Sequence, residues 1–166
     1  MTATTQVLIL GIGNVLLKDE GIGVHAVRRL KVGPLPAGTA CLDGGTLSFT
    51  LAGEVGGAEG LIAIDAAELK APPGTVKVFE GEAMDRFLGQ RRGSSVHEVN
   101  LDDLLAMARL TGDLPRKRAL VAVQPGEVDW GEALSPEVEK ALARVVEEVE
   151  ALLEAWYGIR GHRRQG

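Results

Sequence analysis

Three side chains in this sequence, Glu20, Asp65 and His97, could together hold a divalent metal ion. Carboxylate oxygens and an imidazole nitrogen suit nickel, zinc and similar borderline ions, and three protein donors leave positions open for water or a substrate. Each residue follows, directly or across a loop, a short apolar run that reads as a buried strand. That is where open α/β sheets build their sites. Each also has an ordinary alternative. Asp19-Glu20 could favour a helix start through the macrodipole, although one acid satisfies that need and leaves the other free to point into a cleft. Asp65 could serve a turn. His97 could be a surface residue, but it follows the polar loop Arg91 to Ser95, and loops often hold sites. His25, within the first helical pattern, and His162, near the chain end, read as surface or hydrogen-bonded core histidines.

Other chemistries find less support. Gly11-Ile12-Gly13 follows a strand as in dinucleotide-binding folds, but Leu16 stands where the third glycine belongs. The loop from there to the first helix is too long to rest a phosphate on the helix N-terminus. The glycines are better explained by a tight turn and close backbone approach. Cys41 lies inside an apolar run and reads as a small buried hydrophobe; a Cys41–His97 nucleophile pair would need an exposed, activated thiol. There is no Gly-x-Ser-x-Gly, Cys-x-x-Cys or His-Glu-x-x-His pattern.

The elements that must position these residues follow from periodicity. Val7 to Leu10 reads as a central strand buried on both faces, and Thr39 to Leu42, Leu61 to Ile64, the alternating Thr75 to Phe79, and Ala119 to Val123 read as further strands. Asp43-Gly44-Gly45-Thr46 reads as a turn. Ile22, Ala26, Val27 and Leu30 recur at helical spacing, ended by Gly33, Pro34 and Pro36. Short helices are expected over Leu47 to Val55 and Met84 to Leu88, and a longer one carries Leu101, Leu104, Leu105 and Ala108. Ser135-Pro136 reads as an N-cap and first-turn proline opening a long amphipathic helix from Val138 to Trp156. Strands alternating with helices imply a mostly parallel sheet covered on both faces.

With 166 residues, 45% of them apolar and 25% charged, the chain has an ordinary globular composition. No repeat or low-complexity linker divides it, so a single α/β domain is expected over residues 1–158, with a flexible basic tail over 159–166. A net charge of -5 argues against a nucleic-acid binder or an anionic-membrane binder. No apolar run approaches the roughly 20 residues needed to span a bilayer. With one cysteine and no visible signal peptide, a cytoplasmic setting is expected.

Gly11-Ile-Gly-Asn14, Leu16 and Asp19-Glu20-Gly21-Ile-Gly23 together resemble the opening motif of the hydrogenase maturation proteases. These endopeptidases process the large subunit of nickel–iron hydrogenases. The resemblance continues through Asp43-Gly44-Gly45-Thr46, Asp65, Ser95-x-His97, Gln124-Pro125 and Leu134-Ser135. It implies a three-layer α/β/α sandwich with a mostly parallel twisted sheet. The implied activity is removal of the C-terminal extension of the large-subunit precursor once nickel has been inserted. Glu20, Asp65 and His97 correspond to the family's nickel-contacting, catalytic positions. Asp43, with Gly44, Gly45 and Thr46, corresponds to a substrate-binding or cleft-shaping turn. Nickel would come with the substrate, and no permanently bound cofactor is expected. Ala122 departs from the glycine often found before Val-Gln-Pro in relatives. Two competing readings are a nickel-dependent factor that binds the precursor without cutting it and a flavodoxin-like nucleotide-binding protein.

Overall fold

A computed structural model describes residues 6–45, 49–91 and 99–158. The expected basic tail over 159–166 lies outside the described residues. The elements run β1 (Val7–Ile12), α1 (Ile22–Val32), β2 (Thr39–Gly45), α2 (Ala52–Gly56), β3 (Gly60–Ala66), β4 (Val76–Glu80), α3 (Glu82–Gln90), α4 (Leu101–Leu110), β5 (Lys117–Val123) and α5 (Pro136–Tyr157). Single 3-10 turns at Lys18–Gly21 and Phe49–Leu51 precede α1 and α2.

The five strands form one sheet in the order β2-β1-β3-β5-β4. All neighbours are parallel except β4, which pairs antiparallel with β5 at the edge. The chain leaves β1 toward one edge through α1, then returns across β1 through α2 to form β3. The strand order therefore reverses between β1 and β3, and loops diverge there to leave a crevice at the carboxyl ends of the strands.

Side-chain alternation explains both covering layers. Val7, Ile9, Ile62, Ile64, Val121 and Val123 pack with Ile22, Ala26 and Val27 of α1 and with Val138, Leu142, Val145 and Val149 of α5. The intervening Leu8, Leu10, Leu61, Ala63 and Leu120 pack with Val55 of α2, Met84 and Leu88 of α3, and Leu101, Leu104 and Leu105 of α4. The result is the expected three-layer α/β/α sandwich. β1 and β3 read as unbroken apolar runs because they are buried on both faces.

One local expectation fails. Asp43 to Gly45 does not begin a turn but continues β2, because β1 extends to Ile12 and offers a ladder: Gly11 pairs with Asp43 and Ile12 with Gly45 across a register irregularity. Thr46 lies outside the described residues.

The start of α1 is pressed backbone-to-backbone onto the sheet. A Cβ on Gly23 would overlap the Ile64 carbonyl oxygen and lie 2.6 Å from the Ile12 nitrogen. A Cβ on Gly11 would overlap the Gly23 carbonyl and lie 2.7 Å from a methyl of Val27. Glycine at both positions lets α1 settle over the crevice between β1 and β3. Gly23→Ala should therefore lower stability by about 3 kcal/mol or more, since backbone cannot give way. Gly89→Ala, in α3 with open space around its Cβ position, should instead stabilise by about 0.5–1 kcal/mol. Urea denaturation of the two variants beside the wild type checks both signs.

Candidate active site at the carboxyl ends of β1 and β3

Glu20 and Asp65 come from opposite sides of the crevice. Asp65 is the penultimate residue of β3, set by the ladder between Gly60–Ala66 and β5, where it pairs with Ala122. Its side chain is only 13% exposed, and its Oδ2 lies 3.4 Å from Nη1 of Arg91 just beyond α3. Burial pushes the Asp65 carboxyl up to about 7; the Arg91 guanidinium and the Ala66 N–H oppose that shift, and the nearby Glu20 charge adds to it. Glu20 sits half-buried in the 3-10 turn. Two carboxylates thus share a poorly solvated crevice with one guanidinium, an arrangement that a divalent cation would relieve. Among the described residues no group of three or more His, Cys, Asp or Glu is placed to hold a metal. His97 lies outside the described residues, so the structure brings together two of the three expected donors.

The turn bearing Glu20 is held by its neighbour, Asp19. Asp19 is fully buried. Its Oδ2 accepts the N–H groups of Gly126 at 2.8 Å and Glu127 at 2.7 Å. The Ser135 hydroxyl donates to Oδ2 and the Ser135 N–H to Oδ1, each at 2.7 Å. Burial pushes this carboxyl up, but the Glu127 N–H, the Ser135 hydroxyl and the Ser135 and Gly126 N–H groups outweigh it, leaving Asp19 below the usual carboxylate range. Backbone bonds extend the seam: Asp19 N–H donates to Glu127, Lys18 N–H to Gly131, and Gly131 N–H to Leu16. Lys18 takes a left-handed φ of 46° within this pairing. Such a conformation costs about 1 kcal/mol or more in a non-glycine residue and persists only where the surroundings enforce it.

Asp19 was the functional support that sequence reasoning missed. A capping role for one of the two acids was anticipated, but its partners are more than 100 residues away. By sequence, Ser135 fits a side-chain N-cap of α5. It occupies the cap position, with Pro136 at the start of the helix, yet its hydroxyl turns to Asp19 and makes no cap bond. Gln124 plays a similar tethering role: its Oε1 accepts the Leu69 N–H at 2.6 Å and its Nε2 donates to Glu68 at 3.1 Å, fixing the chain beyond β3.

A second hollow opens beside the crevice. It has a volume of about 300 Å³ and is lined by Gly13, Asn14, Val15, Val24, Arg28, Asp43 and Gly45. Asp43 is exposed; its Oδ1 accepts the Gly45 N–H at 2.9 Å, and its Oδ2 is 4.0 Å from Arg28. Gly45 in turn accepts the Gly13 N–H at 2.9 Å. Gly13, at φ 130°, passes so close to Glu20 that an added Cβ would overlap the Glu20 carbonyl oxygen. The Asp43 segment and the Glu20 turn are therefore adjoining walls.

The alternatives weaken. Burial raises the Cys41 thiol to about 11, the opposite of an activated nucleophile. His25 is half-buried in α1, and its buried Nε2 has no hydrogen-bond partner among the described residues.

The fold is thus an α/β sandwich whose sheet has its crevice at the β1/β3 reversal, floored by glycines and flanked by two carboxylates. The family model for hydrogenase maturation proteases matches residues 24–152. The chain is 37% identical over 169 residues to the hydrogenase expression/formation protein HupD of Thiocapsa roseopersicina, covering 99% of this chain and 75% of that protein. It is 36% identical over 150 residues to the hydrogenase 2 maturation protease of Escherichia coli, covering 89% and 90%. Among solved structures it is similar to the hydrogenase maturating endopeptidase HybD from E. coli, with a TM-score of 0.83 and 36% identity over 90% of this chain and 93% of that one. It is also similar to the [NiFe] hydrogenase maturation protease HybD from Thermococcus kodakarensis, with a TM-score of 0.71 and 32% identity over 89% and 98%. The chain belongs to the hydrogenase maturation protease family, and it is a peptidase. That sets aside the flavodoxin-like reading and a binding factor without proteolysis.

The two carboxylates have opposite pH signatures. Asp65 is raised in the fold from its ordinary 3.8 to about 7, so its ionisation costs stability as pH rises through that window. Asp65→Asn should match the wild type near pH 4 and exceed it at pH 8 in urea midpoint. Asp19 is depressed, so its contribution is present above its unfolded pKa and is lost as pH falls through the folded value. Asp19→Ala should lower stability by about 2–4 kcal/mol at neutral pH, with a smaller deficit in acid. Denaturation curves at pH 3, 5 and 8 check both variants.

Proposed function

We propose that this chain removes the C-terminal extension of a nickel–iron hydrogenase large-subunit precursor after nickel insertion, with the nickel in the substrate serving as the recognition signal. The observation that supports it most is the convergence of Glu20 and Asp65 at the strand-order reversal, where burial and mutual repulsion hold Asp65 near 7. A substrate that brings a divalent ion supplies the missing positive charge. His97 joins them as the third donor through the family resemblance. Asp43, Gly44 and Gly45, with Thr46 through the family resemblance, are the segment beside the crevice that would receive substrate chain.

On this reading nickel is cargo of the substrate, and the protease carries no resident cofactor. Glu20, Asp65 and His97 would seat the ion, whose Lewis acidity would supply polarisation of the scissile carbonyl or activation of water. Asp65, titrating near neutral pH, is alternatively suited to accept a proton from the attacking water. The partner is the precursor, with no nucleic acid and no membrane insertion; among the described residues no helix is long and apolar enough to cross a membrane. The setting is the cytoplasm, in keeping with a single partly buried thiol at Cys41.

Incubation with nickel-loaded precursor should shorten the precursor by the mass of its extension, whereas nickel-free precursor should stay intact. Glu20→Gln, Asp65→Asn and His97→Ala should each reduce kcat/KM about 100-fold or more while retaining native circular dichroism. Wild-type cleavage rates in all three variants would falsify the site assignment.

A further inference from the structure

The loop between β5 and α5 presents large apolar side chains to solvent beside the site. Trp130 is 78% exposed and Val128 51%. Leu16, 46% exposed, belongs to the same surface, because Gly131 donates its N–H to the Leu16 carbonyl at 2.8 Å and Leu17 forms a parallel bridge with Gly131. The Trp130 indole makes no hydrogen bond or ring contact with any described residue. An indole this exposed adds little to the core, and tryptophan is among the side chains enriched as interface anchors.

We propose that this loop is the docking platform for the folded body of the hydrogenase precursor, with Trp130 as the anchor. The proposal rests on the functional reading above. Continuity with the site selects that occupant, and the charge of the loop sets what its surface must carry. The platform is continuous with the site: Asp19 binds the Gly126 and Glu127 N–H groups and is the residue directly before Glu20. A body held at Trp130 is therefore held in register with the crevice. The loop is also acidic, since Asp129 and Glu132 flank Trp130 and form no ion pair with any described residue, whereas Glu127 lies 3.8 Å from Lys18. The matching surface is an apolar pocket with a basic rim. The most exposed large apolar residue among the described ones lacks this setting. Leu110, 88% exposed, ends α4, which runs toward the amino end of β5, so it lies at the end of the sheet opposite the site.

The test measures steady-state cleavage of a nickel-loaded precursor that the wild-type chain processes. Trp130→Ala should raise KM about 10-fold or more with kcat within two-fold, and Trp130→Phe should recover most of that loss. Asp129→Lys with Glu132→Lys should raise KM further at low salt than at high salt. Leu110→Ala should match the wild type, and all variants should keep the wild-type urea midpoint. Unchanged KM in Trp130→Ala overturns the platform while wild-type cleavage leaves the functional reading standing. A fall in kcat with unchanged KM also overturns it. If the wild type cuts no nickel-loaded precursor, the functional reading fails, and the platform falls with it.

Discussion

The buried carboxylate of Asp19 is the interaction on which the site depends. A charge without solvent is costly, and here its two oxygens take three backbone N–H groups and one hydroxyl from a segment more than 100 residues away. Those bonds connect the turn after β1 to the loop after β5. Without them the Lys18–Gly21 turn, with its left-handed lysine, would be tied to that loop by the backbone bonds of Lys18 to Gly131 and of Asp19 to Glu127 alone. The hydrogen-bond donors also keep Asp19 ionised at working pH, so the tether does not titrate with the site.

Asp19 and Asp65 show how one chemical group serves two purposes. Both are largely removed from water. Asp19 is surrounded by donors and falls below its ordinary range, whereas Asp65 has one arginine at 3.4 Å, one backbone N–H and a neighbouring carboxylate, and rises to about 7. The satisfied carboxylate stabilises the fold; the under-satisfied one costs stability once it ionises. Active sites commonly hold such groups at a cost in stability.

Much of the fold was legible in the sequence, because β1, β3 and β5 are buried on both faces and α1 and α5 show strong 3.6-residue periodicity. Glu20 and Asp65 were also legible, as acids following apolar strands. The wider opening pattern is legible in physical terms: Gly11 and Gly23 allow α1 to meet the sheet, and Gly13 lets the chain pass Glu20. What could not be read was long-range pairing. The continuation of β2 through Gly45 depends on β1 reaching Ile12. The turn of the Ser135 hydroxyl away from its helix depends on Asp19. Neither partner choice leaves a local signal, since both residues fit common local roles, a turn glycine and an N-cap serine.

The charge arrangement also bears on why a free metal ion need not be retained on the proposed reading. Asp65 is already engaged by Arg91, and near neutral pH part of its population is protonated. An incoming cation must displace both the guanidinium and the proton before it gains the full carboxylate. A lone ion meets that cost with coordination bonds alone. An ion carried in a precursor arrives with the contact area of the whole protein, and that area can offset the same cost. On that reading, weak affinity for the ion and strong response to the loaded substrate would share one cause, a carboxylate whose burial opposes its ionisation.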